Sequence, residues 1–339
     1  MGKVGDCISI PSRRGHPTLG NLMLRLRLLV IATTIALAAC SQSPGSADAT
    51  PAPAPTSTAS ASATAPADAM TSNPFFQAST LPFQAPPFDK ITDADYQPAI
   101  EEGMKRQLAE VQKIADNPEP ATFENTYVAL EKTGVMLNRV MAVFNGVTAA
   151  NTNPTLQKVQ EEEAPKLAAH QDAIYLNDKL FKRIEAVYDQ RDTLKLDPES
   201  ARLVQVVYDD FVHSGAKLSD ADKAKLKAMN KEESSLSTAF TNKLLAATKD
   251  AAPVIGDKSK LAGLSDAEIA AASRAATDRK QDGKYVLPLQ NTTQQPELQD
   301  LADRATRQQL FEASWNRAEQ NDANDTRKTI ERLAQLRAQ

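Results

Sequence analysis

The chain contains few histidines and cysteines, the side chains that most often bind zinc. Its three histidines are His16, His170 and His213, and the last two lie in separate predicted helices with no cysteine or second histidine nearby. A zinc site needs three or four ligands around the metal. The motifs His-Glu-x-x-His and Gly-x-Ser-x-Gly and a glycine-rich phosphate loop are absent from the sequence. Composition and spacing alone therefore predict no active site, and His213 is expected to be a cation at the negative end of a helix dipole.

Two groups of acidic residues are candidates for a carboxylate pair or a metal site. Asp93 and Asp95 follow Thr92, which is a good helix-capping residue. Negative charge is favoured in the first turn of a helix, so we expect these two aspartates to stabilise a helix start and not to catalyse. The run from Glu161 to Glu163 is expected to be a solvated helix face and not a metal site.

Both cysteines, Cys7 and Cys40, precede the part of the chain that is predicted to fold. That part therefore has no disulfide, thiol nucleophile or cysteine ligand. Arg25 and Arg27 precede an apolar run, 28–39, that is too short to span a bilayer and fits a signal-peptide core. The run ends in Leu-Ala-Ala-Cys40, which resembles the lipobox of bacterial lipoproteins, where the cysteine becomes the lipidated N-terminus. The alternative is an ordinary secretory signal in which the cysteine is accidental.

These signals divide the chain into three parts. Residues 1–39 are predicted to be a signal peptide, with Met23 as the true start, and residues 40–72 are the lipidated Cys40 and a disordered Ala/Pro/Ser/Thr linker. Residues 73–339 are the folded region. Because Ser41 and not aspartate follows the cysteine, the pattern resembles sorting to the outer membrane. We expect a lipid-anchored protein on the periplasmic side of a bacterial envelope.

The composition of the folded region indicates an all-α protein. The 339 residues include 39 basic and 43 acidic side chains without an evident basic stripe, so nucleic acid is a poor candidate for a partner. Aromatic residues are scarce and strong helix formers are abundant. Helix signals recur along the chain. They predict helices starting at Thr92, at Thr122 (through Phe144), at Asn153 (bent at Pro165), at about 178–189 and 198–213, at Ser219 (the longest) and at Ser265, with Glu268 completing a capping box.

At most one short strand or hairpin is expected, near residues 284–290, where Tyr285, Val286 and Leu287 precede a proline. Pro296 is then expected to open one helix whose apolar face continues to Ala313, and Asp325 to cap another. That last apolar pattern has no stop signal before Gln339, so we expect more protein to follow.

Aromatic residues are concentrated in the extended segment before the first predicted helix. Phe75, Phe76, Phe83 and Phe88 lie there among several prolines. We expect their rings to dock on the surface of the domain itself, in preference to a role in binding a ligand.

Several blocks of the folded region resemble one peptidase family. They are Asn73-Pro74-Phe75, Pro87-Phe88-Asp89, Lys166 to His170, Gly215 to Leu218, Leu287-Pro288-Leu289, Asn291 to Pro296 and Asn321 to Arg327, the last two longer blocks being the most specific. The chain resembles the N-terminal half of the thimet-oligopeptidase family of zinc metallopeptidases, and within it the bacterial peptidyl-dipeptidase branch.

The resemblance implies a two-lobed helical ellipsoid with a central channel, of which this chain would form one wall. Its members remove C-terminal dipeptides from short peptides. Two histidines of His-Glu-x-x-His and a later glutamate hold zinc, and a metal-bound water attacks the peptide carbonyl with the motif glutamate as general base. All these residues would follow Gln339, so the resemblance assigns no catalytic or metal residue to this chain, and no chemical role to His170. The expected function is a zinc peptidyl-dipeptidase of which this chain is an inactive part. The alternative is a non-catalytic helical envelope lipoprotein that acts as a binding or scaffold module.

Overall fold

Helices account for most of residues 73–290 and 294–339, which are the parts of the chain that the computed structural model describes. The all-α prediction is confirmed. The predicted signal peptide, the linker and Cys40 lie outside the described residues. The α-helices are α1 (Asp93–Ala115), α2 (Ala129–Glu131), α3 (Val135–Ala150), α4 (Pro154–Tyr175), α5 (Asp178–Tyr188), α6 (Pro198–His213), α7 (Asp220–Asp250), α8 (Asp266–Thr277), α9 (Gln294–Asp300), α10 (Arg304–Trp315) and α11 (Arg327–Arg337). None of the helices in these ranges combines the length and the apolar character that crossing a membrane requires.

The helix starts that were predicted from capping residues are confirmed at α1 and α8. The backbone N–H of Thr92 donates to Asp95 Oδ2 at 2.8 Å, so Asp95 stabilises the start of α1. At α8 the N–H of Ser265 donates to Glu268 Oε2 at 2.7 Å, and the N–H of Glu268 donates to Ser265 Oγ at 3.3 Å. Each pair satisfies backbone donors that the first turn of a helix leaves free.

The helix predicted from Thr122 to Phe144 is interrupted. Residues Phe123–Val128 form a π-helical segment that continues into α2, and a turn at Gly134 separates α2 from α3. Gly134 has φ +71°, in the left-handed region that favours glycine. A single helix was therefore a wrong prediction, because the apolar spacing continues across a residue whose backbone leaves the helical conformation.

The single helix predicted from Pro296 to Ala313 is also two helices, α9 and α10. Pro296 lies inside α9, which begins at Gln294, and Asp303 caps α10 by accepting a hydrogen bond from the Thr306 N–H at 2.9 Å. Between the two helices, the N–H of Ala302 donates to the carbonyl of Ala262 at 2.7 Å. This bond to a distant loop replaces a helical one and explains the break.

A two-stranded antiparallel sheet is the one sheet within the described ranges. Its strands are β1 (Val254–Ile255) and β2 (Tyr285–Val286), in the register Val254 to Val286 and Ile255 to Tyr285. The strand predicted near 284–290 is confirmed. Its partner strand, Val254–Ile255, lies outside the predicted range.

The buried apolar residues form three clusters. The first joins Phe75 to the first half of α1, to α3 and to α4; the second joins the end of α1 to the π-helical segment, α5 and α6. The third lies within residues 251–313 and includes both strands, α8, α9 and α10. Helix α1 thus contributes to two of the three cores.

Helix α7, the longest of the described helices, packs along α4 and α11. Along it, an apolar seam is only partly buried; its residues are Leu226, Met229, Leu236, Phe240 and Leu244. Two acids beside the seam bind α11: Glu232 accepts two hydrogen bonds from Arg332, at 2.6 and 2.7 Å, and Glu233 accepts one from Arg337 at 2.8 Å. Glu232 and Glu233 therefore each face an arginine of α11.

The segment before α1 docks through two of its four aromatic residues, Phe75 and Phe76, and for these two the prediction is confirmed; Phe76 is partly buried against the first cluster. Phe75 is 2% exposed, and its carbonyl accepts a hydrogen bond from Arg139 Nη2 at 2.6 Å. Phe83 and Phe88 are 104% and 63% exposed, so the prediction that they dock on the domain was wrong. Phe83 lies in a turn, Pro82–Gln84, where its own backbone has φ +57°.

Candidate functional site

His170, which belongs to one of the blocks that carry the family resemblance, is buried in α4. Its Nε2 lies 2.8 Å from Gln107 Oε1, and its Nδ1 has no hydrogen-bond partner. Burial lowers the pKa of His170, because an apolar environment disfavours the charged imidazolium. Gln107 lies on α1 and contacts the turn at Gly134, so this histidine joins three elements. Its surroundings indicate a packing role for a neutral imidazole.

Glu163 is the residue at which the prediction of a solvated acidic face fails. Residues 161–162 are exposed, but Glu163 is fully buried. Its Oε1 accepts hydrogen bonds from Gln97 Nε2 at 3.0 Å and from Lys166 Nζ at 2.8 Å, while Oε2 has no partner. Burial raises the pKa of Glu163, and the ammonium of Lys166 opposes that rise. A paired acid of this kind fastens α4 to α1.

The described residues do not supply a ligand set for zinc. Within residues 73–290 and 294–339 no three His, Cys, Asp or Glu side chains lie close enough together to hold a metal ion. His213 is exposed at the last residue of α6, the position expected for a cation at a helix end, and His170 lies on α4. The two histidines therefore lie on different helices, and neither belongs to a group of three potential ligands among the described residues.

A second buried acid, Glu297 on α9, was not singled out from the sequence. It is 6% exposed, and its Oε2 has no hydrogen-bond partner. Burial, together with the nearby charge of Glu268, raises the pKa of Glu297 to about 7. Its position directly after Pro296, in the block 291–296, was the only available signal, and helix periodicity does not distinguish it from a solvated residue.

The block Asn321 to Arg327 forms a turn that is fixed by its own side chains. Asp325 accepts hydrogen bonds from the backbone N–H of Asn321 at 2.9 Å and from that of Arg327 at 3.0 Å. The guanidinium of Arg327 also donates to Asn321 Oδ1 at 2.6 Å and forms an ion pair with Asp325. This pairing holds the pKa of Asp325 well below its usual range. Asp325 was predicted to be the N-cap of α11, and this prediction was wrong. The N-cap is Thr326, because the carboxylate of Asp325 binds the backbone of the preceding turn.

An open cleft of about 610 Å³ lies beside this turn. Its walls are the C-terminal end of α7, one face of α10 and the segment between α10 and α11. Four of its lining side chains are carboxamides: Gln308, Gln309, Asn316 and Gln320. A volume between about 300 and 1,000 Å³ is typical of ligand pockets. Sequence reasoning missed the cleft, because its walls come from residues about 60 positions apart that no local pattern relates.

Comparison with known proteins gives relatives for most of the chain. It is 51% identical over 269 residues to dipeptidyl carboxypeptidase of Escherichia coli and 46% identical over 268 residues to that of Salmonella typhimurium. Each match covers 79% of this chain and 40% or 39% of the relative. Oligopeptidase A of Escherichia coli is 24% identical over 260 residues, covering 76% of this chain and 38% of the relative. No protein-family model matches the chain. The chain thus spans about 40% of the length of the curated relatives it matches.

Proposed function

Because the chain belongs to the thimet-oligopeptidase family and is most similar there to the dipeptidyl carboxypeptidases among the relatives named above, we propose that it is part of a peptidyl-dipeptidase. Such an enzyme removes dipeptides from the C-terminus of short peptides. The observation that carries the proposal is the 51% identity over 269 residues, which is far above the similarity to the oligopeptidases A.

The proposed chemistry is hydrolysis by a metal-activated water, with zinc as the cofactor. When bound, zinc would polarise the peptide carbonyl and supply a nucleophile at neutral pH. The described residues do not fit a zinc site, so we derive no step of the reaction through them. We propose that the zinc ligands belong to a longer protein of which this chain supplies about 40% of the length, as it does of its relatives.

The described helices would form one wall of a substrate channel. Their contribution is packing: buried groups such as Glu163 and His170 hold α1 and α4 together, and the turn 321–327 fixes the path from α10 to α11. A rigid wall admits short, unfolded peptides and excludes folded proteins by size.

We also propose that Cys40 is lipidated and tethers the protein to the periplasmic side of a bacterial envelope, in the outer membrane. The support is the order of basic residues, apolar run, small residues and cysteine in the sequence. Intact mass measurement of the protein expressed in a bacterial host tests this. A diacyl or triacyl mass on a chain starting at Cys40, lost in Cys40→Ala, is expected; an unmodified cysteine would show an ordinary secretory signal.

The function is tested by comparing the 339-residue chain with the product of the reading frame that contains it. Both are purified with added zinc and incubated with an N-blocked tetrapeptide, and dipeptide release is followed by mass spectrometry. We expect release only by a longer product, with loss on chelation and recovery on adding zinc. Chelator-sensitive hydrolysis by the 339-residue chain itself would refute the placement of the zinc ligands.

The alternative is a non-catalytic helical envelope lipoprotein. The absence of a ligand set among the described residues is compatible with it. A stop codon directly after Gln339, together with no peptidase activity in cells that depends on this gene, would favour this alternative.

A further inference from the structure

The cleft beside the turn 321–327 presents the groups that bind a peptide backbone. A carboxamide side chain both donates and accepts hydrogen bonds, as does a peptide group. Gln308, Gln309, Asn316 and Gln320 place four such side chains in one cleft. Gln308 Nε2 donates to Glu312 Oε1 at 2.8 Å, and Gln320 Nε2 donates to the Asn316 carbonyl at 2.7 Å, so two of the four are held in place.

The cleft also carries net negative charge, with three acidic side chains and one basic side chain in its described lining. Asp250, Glu312 and Asp322 line it, and none of the three forms an ion pair with another described residue. Their contacts are with neutral groups: Asp250 and Asp322 accept from Asn324, at 3.2 and 2.9 Å. Arg317 is the one cationic side chain in the described lining, and it donates to Ser314 instead of to an acid. A cationic group is therefore the complementary ligand.

An exposed aromatic pair lies on α10, the helix that supplies several of the residues lining the cleft. Phe311 and Trp315 are 51% and 74% exposed, and their rings stack with centroids 5.7 Å apart. On a helix surface, residues three apart are neighbours, so Phe311 lies beside Gln308 and Trp315 beside Glu312. Aromatic side chains of this kind bind apolar side chains through a large rigid contact area.

We propose that this cleft binds the N-terminal end of an extended peptide. The free ammonium lies among the carboxylates of Asp250, Glu312 and Asp322, the peptide groups pair with the carboxamides, and an apolar first side chain packs on Phe311 and Trp315. The inference rests on the proposed function for the class of ligand, which is a short peptide. It goes beyond that function by assigning to this chain a site for the N-terminus of the peptide, whereas the proposed cleavage is at the C-terminus.

Trp315 is the only tryptophan in the chain, so its fluorescence reports on α10, the helix that supplies several of the residues lining the cleft. The probe is the tetrapeptide Leu-Ala-Ala-Ala-amide, compared with its N-acetylated form in titrations of the full 339-residue chain. Calorimetry runs in parallel, because a bound peptide can leave the emission unchanged. We expect the free amine to bind and to shift the Trp315 emission, and the acetylated peptide to bind more weakly.

Charge-neutralising variants test the role of the acids. Glu312→Gln is expected to weaken binding of the free amine roughly two- to fivefold, the range for a solvent-accessible ion pair, and to leave the acetylated peptide unaffected. Asp192→Asn is the matched control, since its side chain is 86% exposed in the turn after α5 and does not line the cleft, and it should change neither. Raising the salt concentration should reduce the difference between the two peptides.

The proposal is overturned if neither peptide is bound by either method, or if both bind equally well and Glu312→Gln has no effect. If the longer protein releases dipeptides but the chain binds no peptide, the cleft assignment fails and the peptidase proposal stands. If the free amine binds as expected but the longer protein has no peptidase activity, the peptidase proposal fails and the cleft remains a peptide site.

Discussion

Gly134, in the turn between α2 and α3, couples backbone conformation to a buried hydrogen bond. A Cβ added at Gly134 would lie 2.4 Å from Gln107 Nε2 and 2.5 Å from Gln107 Cδ. The carboxamide of Gln107 is at the end of a flexible side chain and can move away from the added Cβ. Its Oε1, however, lies 2.8 Å from His170 Nε2, so that movement breaks this contact. We therefore predict that Gly134→Ala destabilises the protein by displacing Gln107 from His170.

Two contributions set the size of the effect. Holding alanine at φ +71° costs about 1–2 kcal/mol relative to glycine. Leaving the buried Nε2 of His170 without a partner costs about 1–3 kcal/mol. The smaller conformational freedom of alanine in the unfolded chain offsets roughly 0.4–1 kcal/mol of this. The expected loss in free energy of unfolding is about 2–4 kcal/mol.

Urea unfolding followed by circular dichroism measures the loss as a lower midpoint at unchanged slope. Gly146→Ala is the control, because Gly146 lies inside α3 and no atom is within 4 Å of its added Cβ. That variant should be more stable by about 0.5–1 kcal/mol, since alanine is the better helix former. In a Gln107→Ala background, Gly134→Ala should cost only the backbone contribution.

A loss below about 1 kcal/mol for Gly134→Ala would refute this reasoning, because the backbone strain and the lost hydrogen bond together, less the unfolded-state offset, should cost at least that much. A loss that is as large in the Gln107→Ala background as in the wild type would show that Gln107 does not mediate it.

Three further predictions concern other buried or turn-forming groups. Burial raises the pKa of Glu297 to about 7 from a usual value near 4.5, so the folded state keeps a proton that the unfolded state loses between these pH values. The stability that this group contributes is present below pH 4.5 and is lost as the pH rises through 7. The free energy of unfolding of Glu297→Gln, measured by urea titration, should therefore exceed that of the wild type by about 1–3 kcal/mol at pH 8 and by much less at pH 5. Asp325→Ala frees two backbone N–H groups of the turn 321–327, and amide hydrogen exchange there should accelerate while exchange in α1 is unchanged. Tyr127→Phe removes a buried hydrogen bond of 3.1 Å to a carbonyl of α5 and should cost about 1–2 kcal/mol in thermal unfolding, whereas Tyr285→Phe, on a partly exposed strand residue, should cost less.

Local signals in the sequence were sufficient where one turn of helix or one strand decides the structure. The capping pairs at Thr92 and Ser265 were predictable because each satisfies its backbone donors within four residues. The short strand at Tyr285 was predictable from an apolar run that ends at a proline. The all-α class followed from the composition.

Predictions failed where a distant contact decides the conformation. The break between α9 and α10 depends on the Ala302 N–H binding the carbonyl of Ala262, about 40 residues earlier. Glu163 is buried because Gln97, on α1, approaches it from outside its own helix. Helical spacing carries no information about either contact. The cleft was missed for the same reason, since α7 and α10 meet only in the tertiary structure.

The sharing of α1 between two hydrophobic cores implies an order in which parts of the protein open. Met104 and Val111, seven residues apart on α1, belong to different cores, so neither core can lose its helix without disturbing the other. The third core draws its buried residues from one stretch of the sequence, 252–310. Sub-global opening can therefore release that stretch alone, at a lower free energy than the two cores joined by α1, which should unfold as one cooperative unit.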